Sequence, residues 1–163
     1  ERAQRLRDWR RDAGSVPGPF ETWLAHRSLP TLALRLERSC RNAQAIAELL
    51  EGREDVARVL YPGLPSHAGH ETARRQMRGA FGMVVSFDLE TEERAERFLA
   101  AAELLCDATS FGSVYTTGER RARWGGDDVS EGFIRLSAGC EDTPDLVADV
   151  ARALDMAGVG TRA

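Results

Sequence analysis

The sequence predicts an α+β fold: a small antiparallel or mixed sheet of about four strands, covered by helices on one face. Three observations carry this. The runs rich in β-forming residues are few and short. Each helical stretch shows a single apolar stripe, so each has one side to bury. Three helices come first, and strands then alternate with helices, an order that suits an open sheet. With 163 residues, 42% hydrophobic and 29% charged, the chain can bury one real core and has the composition of an ordinary globular protein.

The elements follow in order. Residues 1–13 read as a helix with Leu6 and Trp9 on one side; it lacks a starting cap and is expected to continue upstream. The break GSVPGP precedes a short helix seeded by Pro19, with Phe20, Trp23 and Leu24 as its apolar side. Pro30 opens the longest helix, over 30–51, striped by Leu32, Leu36, Cys40, Ala43, Ile46, Ala47 and Leu50 and stopped by Gly52. A strand is expected over 56–61, ended by Pro62-Gly63, then a helix over 67–77 capped by Ser66. The stretch GMVVSFDL predicts a strand over 82–89. A helix over 92–102 turns Ala95, Phe98, Leu99 and Ala102 inward, and a short strand covers 104–108. Residues 109–130 are polar and turn-rich and read as one long loop, a length usually functional or mobile. The strand 133–137 follows, then a helix over 144–156 capped by Asp142 or Thr143. The tail AGVGTRA is expected to fray.

Composition excludes several classes. Net charge is −4 with both signs interspersed, unlike the basic stripe that nucleic acid requires. No apolar run approaches the roughly 20 residues of a spanning helix, and ERAQRLRDWRRD is too charged for a secretory core, so a cytoplasmic address is expected. Cys40, Cys106 and Cys140 form neither a disulfide framework nor a zinc pattern. Of His26, His67 and His70, the last two make an H-x-x-H that reads as a surface pair at a helix start. All 22 basic residues are arginine. Without lysine the chain cannot form a Schiff base, so any lysine-dependent chemistry needs a residue outside this segment.

The best site candidate is Arg135. Phe133, Arg135 and Ser137 share one face of their strand, and Ile134 and Leu136 the other. The apolar neighbours draw the strand into a core, and an arginine cannot shed its proton to ease burial. It therefore needs an anion, as half of a structural ion pair or as a clamp on a ligand. Facing the loop near Thr109, Ser110, Phe111 and Gly112, its fork suits the carboxylate of an amino acid or keto acid. Other sets are weaker. Ser110 and Ser113 lack a partnered base, and GERRARWGGDD is no phosphate loop. Arg120, Arg121 and Arg123 read as a solvated loop face, neutralised by Asp127 and Asp128.

The motifs taken together resemble the C-terminal part of the cystathionine γ-synthase, cystathionine γ-lyase and methionine γ-lyase family of Cys/Met metabolism. Gly18-Pro19-Phe20-Glu21, Trp23-Leu24 and Arg27 resemble its entry to the small domain. Leu29, Thr31-Leu32, Leu34-Arg35 and Asn42-Ala43 follow R-G-L-x-T-L-x-L-R-M…N-A. Tyr61-Pro62-Gly63-Leu64 with Ser66-His67 is similar to Y-P-G-L-x-S-H. Arg75-Gln76-Met77, Gly79, Gly82-Met83 and Ser86-Phe87 match R-Q-M-x-G-x-G-G-M-x-S-F. Ile134-Arg135-Leu136-Ser137, Gly139 and Glu141-Asp142 resemble I-R-L-S-V-G-I-E-D.

The resemblance implies a segment of a pyridoxal 5'-phosphate enzyme of trans-sulfuration, with the C-terminal domain fold of fold-type I enzymes. Residues 1–18 would end an inter-domain helix and linker, and 19–163 would form the C-terminal small domain. Arg135 would bind the substrate α-carboxylate, with Ser110 beside it. Tyr115 replaces the family's glutamate, which can stabilise the substrate amino group, and is taken as the third substrate-facing residue. The family's P-A-x-M-T-H segment gives way to 118–129, a second departure where reaction choice is made. No catalytic, cofactor-binding or metal-binding residue is expected within the segment; the cofactor would be held elsewhere in the subunit. The implied reaction is cystathionine γ-lyase-like elimination on a sulfur amino acid, by a dimer or homotetramer with no nucleic-acid or membrane partner. A cystathionine γ-synthase or β-lyase of the same family is the alternative. A stand-alone, non-catalytic interaction module is the rival from another class.

Overall fold

A computed structural model describes residues 1–158. Two compact units divide the chain, Glu1–Ala33 and Leu34–Ala163. The first holds α1 (Arg2–Ala13), α2 (Pro19–Ser28) and a 3-10 turn, Leu29–Thr31. Gly14 closes α1 in the left-handed conformation that glycine adopts without strain, and Pro19 occupies the first turn of α2. Neither helix buries a residue.

The helix α3 (Leu32–Glu51) leads into the second unit. There follow β1 (Arg58–Leu60), α4 (His70–Gln76), β2 (Val84–Asp88), α5 (Glu92–Ala101), β3 (Cys106–Asp107), β4 (Thr117–Arg120), β5 (Phe133–Ser137) and α6 (Thr143–Gly158). The sheet runs β1-β2-β5-β4-β3. It is mixed: β3 lies parallel to β4, and the other pairs are antiparallel. One core lies against one face of the sheet. Val85, Phe87, Ile134 and Leu136 meet Ala43, Ile46 and Leu50 of α3, Phe98 of α5 and Val150 and Leu154 of α6. Phe87 and Phe98 meet edge to face at 5.4 Å, the arrangement that aromatic quadrupoles favour.

The α+β fold with a mixed, one-sided sheet is as expected, with five strands where about four were read. The fifth, β4, falls inside 109–130, so that stretch is not one loop. β1, β2 and β3 are shorter than the runs read for them, while β5 spans 133–137 as read. The helix α4 starts at His70, not at 67, with Gly69 before it. Ser66 instead donates to Glu51 of α3. Of the α3 stripe, Ala43, Ile46, Ala47 and Leu50 are buried, while Leu32 and Leu36 are exposed. Ala157 is buried within α6, so the tail does not fray there; the rest of it, 159–163, lies outside the described residues.

Candidate functional site: a carboxylate-facing arginine

Arg135 projects from the sheet face opposite the core. Its register neighbours are Ser86 on β2 and Glu119 on β4, and directly opposed residues share a face. The guanidinium donates from Nη2 to Glu119 Oε1 and to the Thr109 carbonyl. It also lies 5.5 Å from the centroid of the Phe111 ring. The side chain is 24% exposed. Nε and Nη1 make no hydrogen bond among the described residues.

The residue reading left two fates for Arg135, and an internal acid is present. Glu119 is completely buried. Its Oε1 also accepts from Arg121 Nη1 at 2.8 Å, and its Oε2 from Trp124 Nε1 at 2.8 Å. Burial pushes the Glu119 carboxyl up, but the Trp124 and Arg121 hydrogen bonds and the Arg135 and Arg121 charges outweigh it and hold it below its ordinary value. Arg121 and Arg123 have acids of their own, Asp127 at 2.7 Å and Asp107 at 2.9 Å. Arg120 turns to the other face and meets Glu92, Glu96 and Glu131. These arginines are therefore not a solvated face; each is tied into the fold, with Asp127 neutralising as expected.

The segment 109–116 crosses the end of β5 and is fastened along its length. Thr117 Oγ1 donates to the Ser110 carbonyl at 2.8 Å, and Gly112 N to Ser137 Oγ at 3.1 Å. Cys140 N donates to the Val114 carbonyl at 2.8 Å. Thr116 gives both its N–H and its hydroxyl to the Glu141 carboxylate. At Gly139 a side chain has no room: a Cβ there would stand 2.5 Å from the Val114 carbonyl oxygen. From below, Asn42 Nδ2 holds the Gly139 and Glu141 carbonyls at 3.1 and 3.0 Å.

Ser110 therefore sits between two residues that Arg135 touches, Thr109 and Phe111. Tyr115 lies farther along the segment, 67% exposed, and among the described residues its side chain makes no hydrogen bond or ring contact with Arg135. Sequence reasoning missed Glu119, which carried no signal beyond its place in GERRARW. It quoted Asn42 and Glu141 as motif letters without assigning them the fastening described here. His67 and His70 hold the turn before α4, through Gly69 N and the Pro62 carbonyl. No group of three His, Cys, Asp or Glu residues among those described could hold a metal ion.

The matching family model is the Cys/Met metabolism PLP-dependent enzyme family, over residues 1–155. A Streptomyces coelicolor protein with a provisional cystathionine gamma-lyase name is 54% identical over 92% of this chain and 38% of its own length. A cystathionine gamma-synthase of Mycobacterium bovis is 45% identical over 87% of this chain and 39% of its own. Among solved structures, an apo methionine gamma lyase from Micromonospora echinospora superposes with a TM-score of 0.85 and 40% identity, over 92% of this chain and 40% of that one. The chain thus spans about two fifths of the relatives' length. With no lysine in its 163 residues, it cannot itself hold pyridoxal phosphate as a Schiff base; what it offers is a part-exposed guanidinium on the non-core sheet face, beside a fastened crossing segment. Motifs, fold and relatives agree that this chain belongs to the Cys/Met metabolism PLP-dependent enzyme family.

Proposed function

We propose that the chain supplies the substrate α-carboxylate site of a pyridoxal-phosphate-dependent carbon–sulfur lyase of the cystathionine γ-lyase kind, acting on a sulfur amino acid. The observation that carries this reading is the state of Arg135: Nε and Nη1 are unspent, on a part-exposed side chain beside 109–111. A permanently charged guanidinium with donors to spare is suited to a carboxylate. Ser110 borders the same place, and Tyr115 stands at the outer end of the segment.

Binding the carboxylate fixes the rotation of the substrate about Cα, so that the bond to be broken is presented in one orientation. Much of an enzyme's rate gain is positioning of this kind. The cofactor, when bound, supplies the electron sink for the cleavage; its lysine belongs to a part of the subunit outside these residues. In this reading 1–18 is the end of an inter-domain helix and linker, and 19–163 the C-terminal small domain. The subunit is cytoplasmic and pairs into dimers and tetramers. Tyr115, in place of a carboxylate, favours a second outcome within the family, a synthase or β-lyase. Product analysis with cystathionine separates the three.

Replacing Arg135→Ala in the intact holoenzyme is expected to raise KM for the amino acid about 10- to 100-fold, the worth of a charged hydrogen-bonding partner. Cofactor absorbance should stay unchanged. An unaltered KM would overturn the assignment.

A further inference from the structure

Glu119 takes no part in the reading above, and its surroundings are lopsided. Without Arg135 each of its oxygens still has a donor, Arg121 on Oε1 and Trp124 on Oε2. A buried carboxylate must keep its oxygens hydrogen-bonded, and those two donors do so. Arg135 is placed differently. Both hydrogens of Nη2 are committed, one to Glu119 and one to the Thr109 carbonyl. The two donor forks of a guanidinium that match a carboxylate both run through the nitrogen trans to Cδ, here Nη2. A ligand carboxylate cannot be gripped by either fork until Nη2 leaves one acceptor. Of the two, Glu119 is the one with donors in reserve.

We propose that Glu119 is the resident counter-ion of the carboxylate site. It positions Arg135 across the β4–β5 pair and yields Nη2 to an incoming amino-acid or oxo-acid carboxylate, while Arg121 and Trp124 keep both of its own oxygens hydrogen-bonded. The inference rests on the reading of Arg135 as the carboxylate site. Its consequence is that ligand binding is an exchange of one carboxylate for another, so Glu119 sets the affinity. Asp127 and Asp107 already neutralise Arg121 and Arg123, so neither arginine is left to draw the ligand away from Arg135.

The test uses the intact holoenzyme and Glu119→Gln. Removing a negative charge beside the site is expected to lower KM for the amino acid, and the inhibition constant of propionate, by roughly three- to tenfold. Propionate is the chosen probe because it has a carboxylate and no amino group. Structural damage would raise both constants, so a fall is not its signature; unchanged or raised constants overturn the proposal. Should the variant not fold, wild-type crystals soaked in propionate decide. Nη2 is expected on the propionate, with Arg121 and Trp124 still on Glu119. Propionate bound with the Arg135–Glu119 contact intact, or no propionate at Arg135, overturns it. The Arg135→Ala variant separates the two readings. If it leaves KM unchanged, the site assignment itself fails. If it raises KM while Glu119→Gln fails to lower it, only the exchange fails.

Discussion

Asn42 shows how one side chain fixes the geometry of a site it never faces. It lies fully buried in α3, donates to two carbonyls of the turn after β5, and accepts from Thr143 Oγ1 at 2.6 Å. Asn42→Ala would leave the Gly139 and Glu141 carbonyls without that donor, and each buried polar group deprived of a partner costs about 1–3 kcal/mol. The expected loss, about 2–4 kcal/mol in urea denaturation, should come with faster amide exchange at 139–141; a variant as stable as wild type would show that the bonds contribute nothing. At this scale the sequence was half legible. The alternation of Phe133, Ile134, Arg135, Leu136 and Ser137 placed Arg135 on the face away from Ile134 and Leu136, and the structure makes that the non-core face. Its counter-ion was not legible, because Glu119 comes from a strand with no strand signature.

That strand, β4, is Thr-Gly-Glu-Arg, and strand propensity argues against its glycine and its glutamate. It is a strand because of what surrounds it. Gly118 lets β4 lie against Leu105, whose Cδ1 would be 3.0 Å from a Cβ. Arg120 can be buried because Glu92 and Glu96 of α5 and Glu131 answer its charge. All of these are partners remote in sequence, which a pass along the chain does not bring together. By contrast α5 was legible nearly to its ends from its apolar face of Ala95, Phe98 and Leu99; the structure adds a cap, Thr91 accepting from Arg94 N. The crossing of 114–116 over the end of β5 makes its own prediction. Gly139 has no unusual φ; it is needed because the Tyr115 and Val114 backbone stands 2.5 Å from where a Cβ would be. Gly139→Ala must therefore push the crossing segment outward. It should lower stability by about 1–3 kcal/mol and speed exchange of the Cys140 amide, whose bond to the Val114 carbonyl would open. Unchanged exchange at Cys140 would mean that the segment gives way without cost.

Over the whole molecule, the one-sided sheet divides the labour between its faces. The core face takes the apolar residues. The charged residues that hold the rest in place recur as buried or half-buried carboxylates met by several donors. In Asp149, burial pushes the carboxyl up, but the Leu104 and Glu103 amides and Arg152 outweigh it and hold it below its usual value. In Asp55 the Arg53 hydrogen bonds are the leading cause of the same downward shift. Glu119 behaves alike. A carboxyl whose value is lower in the folded than in the unfolded chain binds fewer protons when folded. The stability it gives is complete above the unfolded value, about 4 for these groups, and is lost as pH falls through the folded one. The urea midpoint should therefore drop steeply below about pH 4, where these three carboxylates take up protons. Asp149→Asn tests the cause. It places an amide where two backbone N–H groups, of Glu103 and Leu104, require acceptors, so it should destabilise at neutral pH by about 1–3 kcal/mol. Its deficit against wild type should shrink in acid, because the wild-type carboxyl is then neutral too. A deficit that stays constant from neutral pH to about pH 3 would show that the loss is one of shape rather than of charge.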